Sequence, residues 1–295
     1  MKYVCKALLC LFLTFSVVSC DSTPEPDNAK TWQLSGSSAK YYEEIMVPAV
    51  FSPWAKDLIS RVALDPGQKV LDIACGTGIV ARLASQATGN GSTTGLDFNA
   101  TMIDEARSIS ESSGLEISWV QGDALNLPLE DNQFDTVFCQ QGLQFFPDKP
   151  RAVGEMFRVL KPDGKAAISV WTSLEENPYG FAMVEALNNH INSDVADGLR
   201  SPFGFNSADS LRLILKDAGF SDVEIHEVEI PMSGGSLKEF VLRHLTVLPT
   251  AAEIFASSPE AIENVTSEVE RTLQRFVQSN RYAVPWRAHV AIATK

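Results

Sequence analysis

The stretch Val70-Leu71-Asp72-Ile73-Ala74-Cys75-Gly76-Thr77-Gly78 decides the fold of this chain. A short apolar, β-branched run ends at Ile73, and Gly76, Gly78 and Ala81 then form a G-x-G-x-x-A pattern at the start of an amphipathic segment. Glycine lets the backbone turn tightly and lie against a ligand, and a helix N-terminus offers free N–H groups. The stretch therefore predicts a strand, a tight turn and a helix of the kind that binds a nucleotide-containing molecule.

Strand-like and helix-like segments alternate on the C-terminal side of this turn. Seven segments are predicted strands: 69–73, 92–97, 117–121, 134–139, 165–171, 223–230 and 288–294. Predicted helices cover 79–86, 100–111, 150–160 and 208–218, and a helical region over 36–63 precedes the first strand. Because strands that alternate with helices form βαβ units, the pattern predicts an α/β fold with a parallel sheet.

Two segments interrupt the alternation, at 175–205 after the fifth strand and at 231–284 between the sixth and seventh. Both contain helix-like stretches, at 182–191 and 258–278. We interpret the two segments as helical cap insertions over the open edge of the site. The alternative is that these helices decorate the fold without a role in substrate choice.

The glycine pattern can bind either of two cofactors, a dinucleotide or S-adenosylmethionine (SAM), and three acidic residues distinguish between them. Asp72 stands inside the strand end, where a carboxylate can meet the amino group of an amino acid and would repel a pyrophosphate. Asp97, 21 positions beyond Gly76, can accept hydrogen bonds from both ribose hydroxyls. Asp123 follows the third strand, where it could accept from the exocyclic amine of adenine. The acidic residues therefore favour SAM.

From about Tyr41 to Val170 the chain resembles the class I SAM-dependent methyltransferases, in particular the broad group that includes the ubiquinone and menaquinone C-methyltransferases. The resemblance rests on five motifs in order, at 70–78, 95–97, 121–127, 134–137 and 158–164. It implies a Rossmann-like, mostly parallel sheet of seven strands, with the last strand antiparallel and helices on both sides. The methyltransferase domain would span residues 36–295, including both cap insertions.

The resemblance also implies which residues bind the cofactor. Asp72 would lie near the methionine amino group, Asp97 would hold the ribose, and Asp123 would bind the adenine edge. Ala124 would bind the adenine edge beside Asp123, and Gln140 would reach the methionyl part. Phe98 and Met102 would flank the adenosine. The backbone cradle would consist of Ala74, Cys75, Gly76 and Gly78. For the acids the alternative is a solvated loop carboxylate, and for Phe98 and Met102 it is core packing.

The first twenty residues differ from the rest of the chain. Lys2 and Lys6 form a short basic head, and an apolar run over 7–18 ends in Val17-Val18-Ser19-Cys20. The run is shorter than the roughly 20 apolar residues that span a bilayer, and its length suits a signal peptide. The ending resembles a bacterial lipobox, which implies a signal peptide over 1–19, lipidation at Cys20, a polar tether over 20–35 and a membrane-anchored lipoprotein. The alternatives are a buried or interfacial helix and a cytoplasmic location, where SAM is available.

We expect a methyltransferase that transfers a methyl group from SAM to a small-molecule acceptor, mainly by alignment in a closed pocket. A formal net charge of -13 makes nucleic acid a poor partner. The residues expected to close over the cofactor are Tyr41 and Tyr42, and those expected to line the pocket are Gln141, Gln144, Phe145 and Phe146. The aromatic rings favour an acceptor with apolar surface.

Other interpretations remain at this stage. The catalytic residues are unknown, because no general base is evident, and we identify no metal site. The rival functions are a catalytically silent SAM-fold lipoprotein and an NAD-dependent oxidoreductase. Cys75 and Cys139 end neighbouring strands, so a redox pair is a further alternative to their contact with the cofactor. The oligomeric state does not follow from the sequence.

Overall fold

The computed structural model describes residues 38–89 and 91–295. The predicted signal peptide, the lipidation at Cys20 and the predicted tether lie outside the described residues. Among the described helices, none combines the length and the apolar character that crossing a bilayer requires.

Seven strands form the main sheet: β1 (Lys69–Ile73), β2 (Ser92–Asp97), β3 (Ile117–Gln121), β4 (Phe134–Gln140), β5 (Leu160–Trp171), β6 (Val223–Glu229) and β10 (Arg287–Thr294). Their spatial order is β3-β2-β1-β4-β5-β10-β6. Strands β1 to β5 pair in parallel, and β10 lies antiparallel between β5 and β6. The predicted fold class is therefore confirmed, including the antiparallel last strand.

Helices cover both faces of this sheet: α1 (Ser38–Met46), α2 (Ser52–Val62), α3 (Ile79–Thr88), α4 (Ala100–Ser112), α5 (Lys149–Val159) and α8 (Ala208–Asp217). A π-helical turn, Val47–Phe51, joins α1 to α2. Helices α5 and α8 bury their apolar sides against one face of the sheet. Helices α2 and α3 pack on the opposite face. The central strand β1 is buried on both faces, which explains its nearly continuous apolar sequence.

The first insertion is helical, with α6 (Pro178–His190), α7 (Ser193–Arg200) and a single turn at Ser201–Phe203. The second insertion contains α9 (Leu237–Leu245), α10 (Ala251–Phe255) and α11 (Pro259–Thr272). It also contains a three-stranded antiparallel sheet of β7 (Met232–Gly234), β8 (Val277–Gln278) and β9 (Arg281–Val284), in the order β7-β9-β8. The insertions share one apolar core, here called the cap-side core, with α2, α3 and the face of the sheet beneath them.

Two predicted element boundaries are wrong. The helix predicted over 258–278 ends at Thr272, because the chain then enters β8 and turns through Ser279 and Asn280 at φ 49° and 55°. Two successive residues with positive φ suit a tight hairpin turn. The fifth strand begins at Leu160 and not at Lys165, since Leu160 already pairs with Phe134. The helical interpretation of the second insertion was therefore incomplete.

Three polar side chains project toward the cap side at the carboxyl edge of the sheet. Side chains alternate between the two faces of a strand. Each of the three lies two residues along its strand from an apolar side chain of the cap-side core. Asp72 is two residues from Val70, Gln140 is two residues from Phe138, and Ser169 is two residues from both Ala167 and Trp171. The strand register therefore places these three residues on the same face, on the adjacent strands β1, β4 and β5.

Candidate functional site

The glycine-rich turn after β1 forms the floor of the site. Ala74, Gly76 and Gly78 adopt positive φ of 55°, 54° and 85°. At Gly78 a Cβ atom would lie 2.2 Å from the Trp119 ring, so that only glycine fits beneath this indole. Helix α3 begins at the next residue, and its N-terminus therefore faces the same edge of the sheet.

Asp72 is buried at the end of β1, with 1% of its surface exposed. Its Oδ2 accepts a hydrogen bond from the Ala81 N–H at 3.0 Å. Burial raises the pKa of this carboxyl group to about 8, and the negative charge of Asp97 adds to the increase. The hydrogen bond from the Ala81 N–H and the positive charge of Arg82 act in the opposite direction. In the ligand-free protein the group is therefore mostly protonated at neutral pH, and a cationic ligand would favour its ionised form.

Asp97 ends β2 and holds the glycine turn. Its Oδ2 accepts from the Gly76 N–H at 2.8 Å, and its Oδ1 accepts from the Asn99 N–H at 2.8 Å. Burial raises the pKa of this carboxyl group, and the backbone donors oppose the shift. Each carboxylate oxygen can accept a second hydrogen bond, so both remain able to bind ribose hydroxyls.

The residues predicted to flank adenosine lie beyond β2 and β3. Phe98 is 61% exposed, and Asp123 is exposed while its Oδ1 accepts from the Leu125 N–H at 2.9 Å. Ala124 is buried in the core on the α5 side of the sheet. Met102 is buried against Ala39 of α1. Phe98 and Asp123 thus present accessible surface, whereas Met102 contributes packing between α1 and α4.

Gln140 and the two thiols lie at the ends of β1 and β4. The Gln140 Nε2 donates to the Phe51 carbonyl oxygen at 3.1 Å, and its buried Oε1 has no hydrogen-bond partner in the described part of the chain. Cys75 and Cys139 are free and buried. Burial raises the pKa of both thiols, that of Cys139 to about 12, so neither forms a reactive thiolate.

Helix α1 covers the turn. The Tyr42 ring lies 3.8 Å from the position that a Cβ on Gly76 would take, and it stacks on Phe51 with centroids 5.1 Å apart. Tyr41, in contrast, is 45% exposed. Of the two tyrosines expected to close over the cofactor, Tyr42 is therefore the one that lies above the cradle.

Comparison with known proteins decides the family. A methyltransferase domain family matches residues 70–164. The 2-phytyl-1,4-naphtoquinone methyltransferase of Nostoc sp. is 40% identical over 118 residues, which are 39% of this chain and 52% of the relative. The demethylmenaquinone methyltransferase of Lactobacillus johnsonii is 34% identical over 190 residues, which are 60% of this chain and 78% of the relative. The chain belongs to the class I SAM-dependent methyltransferases. It spans about half the length of the Nostoc relative.

Solved structures share the fold of this methyltransferase. The YcgJ protein from Bacillus subtilis superposes with a TM-score of 0.57 at 19% identity, covering 82% of this chain and 98% of that one. Phosphoethanolamine N-methyltransferase 2 of Haemonchus contortus, solved with SAM, gives a TM-score of 0.57 at 20% identity, covering 87% of this chain and 56% of that one. At these identities the likeness concerns the fold alone.

The site residues of this methyltransferase fit SAM. SAM carries positive charges on its sulfonium and its α-ammonium beside one negative carboxylate, and its α-ammonium would supply a cation for the buried carboxyl group of Asp72. A dinucleotide would bring two negative charges to the same place. The buried Gln140 Oε1, which no described residue pairs with, adds an acceptor for an ammonium N–H. Among the residues described, no cluster of His, Cys, Asp and Glu suits a metal ion.

A partly buried ion pair, here called the Glu43 latch, joins α1 to the glycine turn, and the sequence did not predict it. The Glu43 carboxylate accepts from Arg82 at 2.7 Å and from the Thr77 hydroxyl at 2.5 Å. Arg82 also donates to the Thr77 carbonyl oxygen at 2.5 Å. No local motif signals this contact, because Glu43 precedes Thr77 by 34 residues and Arg82 by 39.

We predict that Glu43→Ala lowers the free energy of unfolding by about 2 kcal/mol, since it leaves the buried Arg82 without its counter-charge. Amide hydrogen exchange in α1 should accelerate in the same variant. Urea denaturation and exchange mass spectrometry measure the two effects. Glu44→Ala, at the exposed neighbouring position, is the matched control. Equal behaviour of the two variants would contradict the latch.

Proposed function

We propose that this chain binds SAM at the carboxyl ends of β1 and β2 and transfers its methyl group to a small-molecule acceptor held beneath the cap. The observation that carries the proposal is the pair of buried carboxyl groups, Asp72 and Asp97, whose pKa values burial raises beside the glycine turn. Such a pair destabilises the empty site, whereas the ammonium of SAM would favour the ionised form of Asp72 and the ribose hydroxyls would donate hydrogen bonds to Asp97.

Bound SAM would supply a methyl group on a sulfonium. Its transfer would leave the electron pair of the carbon–sulfur bond on sulfur, and the methylated acceptor would release one proton. Asp72 orients the amino-acid end of SAM, and Asp97 orients the ribose. Tyr42 and Phe51 cover the cradle and exclude water. Because the sulfur leaving group is already good, alignment and exclusion of water supply much of the rate.

Aromatic side chains support an acceptor with apolar surface. Phe51 and Trp171 have ring centroids 6.4 Å apart, and Trp171 and Trp286 have centroids 5.1 Å apart. These rings continue from the cover of the glycine turn into the cap-side core. The names of the Nostoc and Lactobacillus relatives refer to quinones and so support a flat, ring-shaped acceptor for this chain as well.

Binding of SAM to the full-length chain tests the proposal. Isothermal titration calorimetry should show clear binding by the parent and a loss of about a hundredfold, or ~3 kcal/mol, in Asp72→Ala and in Asp97→Ala. Asp104→Ala, at an exposed position on α4, is the matched control and should bind as the parent does.

The affinity should also rise with pH. Between about pH 5.5 and 7 the α-ammonium of SAM keeps its charge, whereas Asp72 must release a proton to pair with it. Because binding then releases one proton, the affinity for SAM should increase by up to about tenfold for each unit of pH. Asp72→Asn should remove most of this dependence. Undiminished binding by both alanine variants would overturn the cofactor assignment, and binding without methyl transfer to any acceptor would favour the silent SAM-fold protein.

We further propose that Cys20 carries a lipid that anchors the protein to a membrane. The basic residues Lys2 and Lys6, the apolar run and the Val17-Val18-Ser19-Cys20 ending support this proposal. The Cys20→Ala variant should move from the membrane fraction to the soluble fraction on cell fractionation. Cys10→Ala, inside the apolar run, is the matched control and should stay with the membrane. A Cys20→Ala protein that remains membrane-bound, or a parent protein that is soluble, would contradict the anchor.

A further inference from the structure

Buried polar atoms without partners gather at the carboxyl ends of β4 and β5. In the described part of the chain, nine buried side-chain nitrogen or oxygen atoms lack a hydrogen-bond partner. Six of the nine belong to four residues, Gln140, Gln141, Gln144 and Ser169. Unpaired buried polar groups are costly and rare in native proteins. The three glutamines follow one another at the end of β4, and Ser169 on β5 pairs with Gln140 in the sheet. The concentration of unpaired atoms at this place indicates a ligand-binding site.

The two glutamines with both amide atoms unpaired are Gln141 and Gln144, which are only 5% and 6% exposed. Gln141 adopts a positive φ of 53°, and its backbone N–H donates to the Ser169 carbonyl oxygen at 3.0 Å. At the intervening Gly142 a Cβ would lie 2.6 Å from the Ala74 Cβ. The turn that carries both amides is therefore fixed between β5 and the cradle of the cofactor.

The order of the strands assigns this turn to the acceptor side of the site. Asp97, proposed to hold the ribose, ends β2, and Asp123, expected at the adenine edge, follows β3. Asp72, proposed to meet the amino-acid end, lies on β1. The next strands in the sheet are β4 and β5. The single helical turn Leu143–Phe145 that carries Gln144 packs against the turn Ser201–Phe203 of the first insertion. An acceptor held under the cap and beside SAM would therefore lie next to the turn that carries Gln141 and Gln144.

The chemistry of two amides restricts what they can bind. A primary amide both donates, through Nε2, and accepts, through Oε1. A carbonyl or a carboxylate group would leave both Oε1 atoms unpaired, and a carboxylate would also add negative charge near Asp72 and Asp97. An ammonium group would leave both Nε2 atoms unpaired. A hydroxyl group satisfies a donor and an acceptor together and brings no charge.

We propose that Gln141 and Gln144 form a subsite that binds a neutral hydroxyl group of the methyl acceptor, and so select hydroxylated, uncharged acceptors over carboxylates and amines. The inference rests on the proposed function, because it places the acceptor next to bound SAM. It gives the two glutamines a role in specificity that the cofactor-binding residues do not share.

The stability of the ligand-free protein tests the subsite without knowledge of the acceptor. Gln141→Met and Gln144→Met remove unpaired amides at similar volume, so each should raise the unfolding temperature by about 2 °C. Gln140→Met is the matched control, and it should lower the unfolding temperature because it removes the hydrogen bond from Nε2 to the Phe51 carbonyl oxygen. A decrease in Gln141→Met and Gln144→Met like that of the control would overturn the proposal.

Binding of matched naphthalene probes tests the selectivity. With the holoprotein saturated with S-adenosylhomocysteine, calorimetry would compare 1-naphthol with 1-methoxynaphthalene, 1-naphthoate and 1-naphthylmethylammonium. The parent should bind 1-naphthol about tenfold more tightly than the others, in line with one hydrogen bond to a buried polar group. The double variant Gln141→Met, Gln144→Met should lose this preference and keep the SAM affinity of the parent.

The outcomes separate the two proposals. Failure of the parent to bind SAM refutes the proposed function. If the parent binds SAM, three results each overturn the subsite: equal or undetectable binding of all four probes, a preference for 1-naphthol that persists in the double variant, or a large loss of SAM affinity in that variant. The last result would show that the amides hold the methionyl part of SAM instead.

Discussion

The buried carboxyl group of Asp72 is the constraint on which the cofactor side of this structure depends. It sits at the end of a strand that is otherwise apolar and buried on both faces, and it accepts a hydrogen bond from the first turn of α3. Desolvation makes its charge unfavourable in the empty protein. A cationic ligand would reverse that balance, and in the proposed function the α-ammonium of SAM is that ligand.

The chemical groups at the carboxyl edge of the sheet differ from strand to strand. In the proposed function this order places the cofactor and the acceptor at different strands. Carboxyl groups end β1 and β2, neutral amides follow β4, and aromatic rings lie where β5 meets the cap. Helix α1 closes the acidic part, because the Glu43 and Arg82 ion pair holds Tyr42 over the glycine turn. The proposed cofactor side and the proposed acceptor side of this edge therefore differ in chemistry.

The sequence predicted the sheet well, because each strand has a local apolar pattern and each turn has its own glycine or acidic signal. It also located Asp72, Asp97 and Gln140 at strand ends. The Glu43 latch was not predictable, since its partners are distant in the chain and none has a motif. The Ser279 and Asn280 hairpin was missed because neither residue is glycine. The unpaired amides of Gln141 and Gln144 depend on burial, which tertiary packing alone determines.

The ionisation state of Asp72 tests the account most directly. Carbon-13 NMR of the side-chain carboxyl group, assigned with Asp72→Asn, would follow its titration in the ligand-free protein and with SAM bound. We predict a pKa of about 8 for Asp72 without ligand, and a pKa well below that value when SAM is present. A carboxyl group that is already ionised at pH 6 in the ligand-free protein, or whose pKa does not fall when SAM binds, would contradict it.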